Sequence, residues 1–365
     1  MTNETLATYS NYSIYSAMVV LLLAMLAFAV DLAGVTTRRK EAAPAAPAAQ
    51  DPDDGVREDL LLMAAGRTRS AAATTGGTTT LGEGPGVPES PGGPDAAEGA
   101  GDSGASAEPE PGRRQWAGIG MSLTWLGLLL MVACCALRGL SVSRPPLGNM
   151  YEFANVGSTF VLLVFSVYAL KRDLRWLGLF VVGPVLLTLG LSVAVFYTQA
   201  SQLLPSLHSY WLMIHVTVAT LSVAIFTIGF SVSILYLVQA WLERIAPEGL
   251  TGAPARVLAA LPPSRSLDRT AYGMHVVAFP LWTFTLIAGA IWAEGAWGHY
   301  WNWDPKEVWT FVIWVVYAAY LHARATTGWN ERKAAYLALA GYACILVNYM
   351  VVNVYFVGQH SYSGM

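Results

Sequence analysis

The sequence predicts an all-α fold: a polytopic membrane helical bundle of about eight transmembrane helices, carrying one disordered linker. Three observations lead there. The 365 residues are 55% hydrophobic and only 12% charged, outside the usual balance of a water-soluble domain. Eight apolar runs are long enough to cross a bilayer core of roughly 30 Å. One long stretch between the first two runs has the composition of a chain that cannot build a core. The net charge of −3 leaves no electrostatic footprint for nucleic acid.

The first run, 12–35, has no basic segment before it and no A-x-A site after it. It reads as a retained helix, not a cleaved signal. Residues 36–115 follow, rich in Ala, Gly, Pro, Ser, Thr and acidic residues, as in "EAAPAAPAAQDPDD". This reads as a disordered, low-complexity linker. Within it, "REDLLLMAAGR" (57–67) has the make-up of a helical turn or two and shows no chemistry. The remaining runs lie near 116–137, 151–170, 174–196, 209–241, 271–294, 306–327 and 333–357, forming a transmembrane domain over 116–362. The 209–241 run exceeds the length of a span, so it tilts or projects into solvent. Cys134, Cys135 and Cys344 all fall in apolar runs and form no CxxC pair. They read as buried, inert thiols, so this chain is not expected to carry disulfide exchange itself.

Basic residues set the orientation. With the linker on the cytoplasmic side, the inner segments hold 18 of the 21 Lys and Arg. Only Arg138, Arg144 and Lys306 are outside. Long loops follow the rule poorly, and with the linker left out the count is still ten against three. Both termini and the loop at 295–309 are then outside, in a multi-pass protein of the plasma (cytoplasmic) membrane.

That loop contains "WGHYWNWDPKEVW" (297–309). Its second half has a structural reading. Asp304 is a helix N-cap, Pro305 the first helical residue and Glu307 the third, which is a capping-box pattern. Its first half crowds Trp297, Tyr300, Trp301 and Trp303 before the cap, in what reads as a non-helical connection. An interfacial aromatic belt is one explanation. A platform for a flat amphipathic ligand is the other, with rings stacking on its face and indole N–H groups meeting its edges.

Histidine within a span is costly and marks a candidate functional site. His215 lies about one turn inside the outer end of the fifth span. His360 lies just past the outer end of the eighth. Two imidazoles beside an aromatic platform are what a bis-histidine haem site requires. His322 lies roughly 26 Å down the seventh span, near the inner face, with His275 of the sixth span at similar depth. A second, inner site is a further possibility. His208 and His299 read as loop residues with capping or packing roles.

These residues resemble a known family. "WGHYWNWDPKEVW" is similar to the WWD signature of haem-handling proteins in cytochrome c maturation, of the ResC/CcsA type of System II. The pieces "PPLGNMYEFAN", "LHSYWLMIHV", "FPLWTFTLIAGAIWAEGAWG", "YLHAR" and "VGQHSY" extend the likeness over most of 145–362. The resemblance implies the membrane subunit of a two-subunit holocytochrome c synthase (haem lyase). It would export haem and present it for thioether attachment to the CxxCH of an apocytochrome c. Haem b is implied as substrate and bound intermediate. His215 and His360 match the outer axial ligands and His322 an inner one, whose counterpart comes from a ResB/CcsB-like membrane subunit. Trp297, Trp301, Trp303 and Asp304 match the WWD residues. His275 falls where the family gives no ligand. A thioredoxin-like reductant protein is the other implied partner. Two further classes stay open: a CcmC-like haem exporter or chaperone without ligation, and an electron-transfer haem b subunit built on a His275/His322 pair.

Overall fold

Residues 3–42, 115–201, 209–326, 329–356 and 358–359 are described by the computed structural model. His208, His360 and nearly all of the linker lie outside them. By contacts the chain divides into one unit of residues 1–39 and 113–365 and a second over Lys40–Gly112.

Among the described residues the structure is helical, with no strand. The long helices are α1 (Glu4–Ala42), α2 (Gln115–Val142), α3 (Met150–Lys171), α4 (Gly178–Ala194, entered through a 3₁₀ turn), α5 (Tyr210–Ile245), α7 (Ser264–Trp297), α8 (Pro305–Ala325) and α9 (Glu331–Leu346). A short helix, α6 (Gly252–Ala260), lies between α5 and α7. After Leu346 the chain continues through a π-helical segment, Val347–Val352, and a last turn, Asn353–Tyr355. Among the described residues, eight helices are long and apolar enough to span a membrane, and the chain is a multi-pass membrane protein.

Two helices run well beyond the sequence reading. α1 begins at Glu4 and runs on to Ala42, into the stretch read as linker. Its first turns hold against α2, where Ser10 donates to the Cys134 carbonyl at 2.9 Å and the Asn3 N–H to that of Ser141 at 2.8 Å. The apolar face of α1 then runs through Ile14, Ala17, Leu21, Ala24 and Phe28, all buried. Leu21 and Phe28 lie directly on Gly127 and Gly120 of α2, the close approach that small residues allow between membrane helices. α7 likewise starts at Ser264, well before the apolar run. Its first N–H groups are unpaired by the helix itself, and Glu243 of α5 accepts the Ser264 N–H at 2.8 Å.

The centre of the bundle is α5 against α7, the most extensive helix pairing in the chain. At roughly 1.5 Å per residue each is about 50 Å long, more than a bilayer core. Polar bonds cross between them inside the apolar core. Ser222 donates to the Ala278 carbonyl at 2.8 Å. α8 and α9 pack beside this pair and α3 and α4 close the other side. At the end of the bundle opposite the Trp-rich loop, Arg324 of α8 makes a two-pronged bond to Asp268 of α7, at 2.8 and 3.1 Å.

Candidate haem-handling site

A cavity of about 310 Å³ opens at the Trp-rich end, within the range of small-molecule sites. The starts of α3, α5 and α8, the ends of α4, α7 and α9, and the loop residues Tyr300 and Trp301 all line it. This follows from alternating helix direction, which brings those termini to one end. Most of the wall is apolar. His215 is on it, and so is a polar corner of Lys306, Glu307, Thr310, Asn348 and Asn353.

His215 is held in one orientation. Its ring lies on Gly289 of α7, where a Cβ would stand 2.7 Å from Cε1. It is nearly parallel to Trp292, 6.3 Å away. Its Nδ1 lies 2.9 Å from the Thr285 carbonyl oxygen. A carbonyl only accepts, so Nδ1 carries the proton and Nε2 the lone pair, the tautomer that ligates a metal.

The aromatic stretch divides into layers. Trp297 is not in the loop: it is the last residue of α7, capped by Gly298 in the left-handed conformation at φ 78°. It packs edge-on against Trp292 at 4.7 Å and so backs the His215 wall. Tyr300 and Trp301 line the cavity. Trp303 points away, 76% exposed, although Trp301 meets it edge-on at 5.9 Å. Its backbone is left-handed, φ 59°, a conformation that costs a side-chain-bearing residue roughly 1–3 kcal/mol and collects at functional sites.

Asp304 starts α8 as a full capping box. Its Oδ2 accepts the Lys306 N–H at 3.2 Å, and Glu307 Oε2 accepts the N–H groups of Asn302 and Asp304 at 2.9 and 3.2 Å. The other oxygen of Asp304 does separate work. Oδ1 accepts the Gln359 N–H at 2.7 Å, and Gly358 sits so close to it that a side chain there would overlap. The Gln359 amide also lies 3.5 Å from His299 Nε2. The Trp-rich loop is thus tied to the segment immediately before His360, itself outside the described residues.

Arg138 and Arg144, the other outer cations of the sequence reading, are structural. Both engage Glu152 of α3, at 3.1 and 2.8 Å, with side chains nearly inaccessible. Arg138 and Arg144 also bond the carbonyls of Thr198 and Ser201, fixing the chain after α4. Lys306, the third of them, meets no carboxylate within hydrogen-bond distance among the described residues: its ammonium meets Asn353 Oδ1 at 2.6 Å and the Asn348 carbonyl at 3.4 Å.

At the opposite end His275 and His322 lie in different surroundings. His275 is fully buried on Gly229 of α5, among Phe226, Tyr317 and Tyr320 at 5.0–5.9 Å. His322 is exposed. It follows Tyr320 by two residues, about 200° further round α8, so His275 meets one face of that helix and His322 lies on another. The electron-transfer reading needed the two together.

A family model described as cytochrome C assembly protein matches residues 146–360. The chain belongs to that family. The chain is also similar to proteins named cytochrome c biogenesis protein CcsA. The one from Guillardia theta is 34% identical over 267 residues, covering 67% of this chain and 85% of the relative. Those from Microcystis aeruginosa and Synechococcus elongatus are 33% and 35% identical, each covering 67% of this chain and 87% of the relative. The matched region of this family member begins at Pro146 and takes in the entire cavity wall, from Leu147 to Asn353. α1 and the linker precede it. A role in cytochrome c biogenesis follows from this membership.

Sequence reasoning missed Trp292, Gly289 and Thr285, which orient His215, and the π-helical segment that carries Asn348. Two asparagines inside an apolar span, in "NYMVVN", were the signal for the latter, since polar residues within a span are costly and functional.

Proposed function

We propose that this chain is the haem-presenting membrane subunit of a System II cytochrome c synthase, working with a ResB/CcsB-like subunit. The observation that carries the reading is His215. It is an imidazole fixed by Thr285 with its lone pair on Nε2, on the wall of a largely apolar cavity that Trp301 and Tyr300 also line. An iron already held in a porphyrin needs axial nitrogen and flat apolar walls, and this donor set fits haem b as the substrate.

In this reading His215 would be one ligand of the iron and His360 the other, and the Asp304–Gln359 bond ties the described residue just before His360 to the loop. Trp301 and Tyr300 cover the ring, Trp297 and Trp292 stiffen the wall, and Trp303 faces the incoming apocytochrome. Each cysteine of CxxCH adds across a haem vinyl group. A sulfur–carbon bond forms as the vinyl double bond is consumed, and the thiol proton ends on the neighbouring carbon. No oxidant is needed, only thiols kept reduced by a thioredoxin-like protein. The protein contributes position, worth up to roughly 7–11 kcal/mol in favourable cases. The cavity end faces outward by the basic-residue count, and His322, exposed at the opposite end, offers an inner ligand site completed by the partner subunit. His275, sealed in its aromatic surroundings, acts as a packing residue.

The test is co-expression of this chain with a ResB-like subunit and a CxxCH reporter in cells lacking their own maturation system. Covalent haem on the reporter, lost with His215→Ala, is the expected result. Haem delivered outside but never attached would favour an exporter. Wild-type attachment with His215→Ala would remove the site.

A further inference from the structure

We propose that Lys306 is the anchor for a carboxylate of the bound ligand, at the polar corner of the cavity. The inference rests on the haem reading above and names which part of that ligand this residue meets: a propionate edge.

Lys306 is the second residue of α8, on the cavity wall and only partly exposed. Its ammonium has two neighbours, the side-chain oxygen of Asn353 and the main-chain oxygen of Asn348. Both are neutral. Among the described residues no carboxylate stands within ion-pair distance of it, while Arg138, Arg144, Arg175 and Arg324 each have one. Asp304, two residues earlier, acts on Lys306 only at longer range. A charge withdrawn from water without a directly paired counter-ion is costly, and a bound carboxylate removes much of that cost. The ammonium has three donors, of which two are used.

The neighbours are arranged around this corner by the π-helical segment. A π turn places Asn348 and Asn353 on the cavity wall, and such segments are frequent at functional sites. Asn348 Oδ1 is buried without a hydrogen-bond partner, and its Nδ2 is 3.4 Å from Thr310 Oγ1. Glu307 is the other charged residue on the wall. Its Oε2 is taken by two loop N–H groups, and its charge turns an incoming carboxylate away from the loop and toward Lys306. A porphyrin seated with its propionates here has its opposite, vinyl-bearing edge directed away from the corner. The result is one orientation in place of several.

The experiment compares haem with haem dimethyl ester, which has the same ring and iron and no carboxylate. Both are titrated into the full chain in detergent, in a His322→Ala background so that the opposite end does not contribute, and read by the absorption of the bound iron. The expected result is binding of haem at least about tenfold tighter than of the ester, as a charge-assisted pair supplies. Lys306→Met should erase the preference and Lys306→Arg keep it. Equal binding of the two porphyrins overturns the anchor and leaves the haem reading standing. A preference that survives Lys306→Met also overturns it. No absorption change with either porphyrin overturns both.

Discussion

The α5–α7 pair contains the same device twice, and only one copy faces a cavity. At the Trp-rich end His215 of α5 lies on Gly289 of α7. At the other end His275 of α7 lies on Gly229 of α5, and in each case a Cβ on the glycine would stand 2.7 Å from the ring. The two sites are fourteen residues apart on each helix, about four turns. The surroundings differ. His215 has Trp292 beside it, a carbonyl on Nδ1 and the cavity in front. His275 has Ser233 at 3.4 Å from Nε2, three aromatic rings around it and no partner for Nδ1. In the proposed reading, a histidine within a span, seated against glycine, is therefore not enough to make a ligand site. What distinguishes the two is the space in front of the ring and the bond that fixes its tautomer.

The comparison breaks most readily at the glycines. Gly289→Ala should push the His215 ring off its seat and weaken haem binding by roughly tenfold or more, equivalent to about 1.4 kcal/mol. Titration of the purified chain by absorption reads this directly. Gly229→Ala should instead act on stability, by the roughly 1–3 kcal/mol typical of an overpacked core, seen in the thermal unfolding midpoint, with haem affinity unchanged. If both glycines weaken haem binding equally, the two ends are functionally alike and the distinction fails.

His275→Leu is the finer test. A buried ring nitrogen without a partner already carries a desolvation cost, and Ser233 keeps its bond to the Gly229 carbonyl at 2.8 Å. The change should be neutral or stabilise by up to ~1 kcal/mol, with haem binding as in the parent chain. Loss of bound haem in this variant would show a second site that the closed packing hides.

The two halves of "WGHYWNWDPKEVW" show how far sequence carries the site. Asp304, Pro305 and Glu307 form the capping box their spacing predicts, because a cap is local: every partner lies within a few residues. The apolar spans are legible for a related reason, since a bilayer imposes length and composition on each helix separately. The aromatic half was only partly legible. Trp297 belongs to α7 and Trp303 to the exposed side, and the cavity walls come from six helices. The second bond of Asp304, to Gln359, joins residues 55 apart in the chain, and no local pattern announces it. Glu152 shows the same limit. Arg138 and Arg144 were visible as outer cations, but their partner lies inside an apolar run and only the packing of α2 against α3 reveals it.

The central claim is that His215 presents an axial nitrogen to haem in the cavity. The most direct measurement is the absorption spectrum of haem bound to the full chain and to its His215→Ala and His275→Ala variants. The account predicts a six-coordinate, low-spin spectrum in the parent and in His275→Ala, and its loss at the cavity in His215→Ala. An unchanged low-spin spectrum in His215→Ala would contradict it.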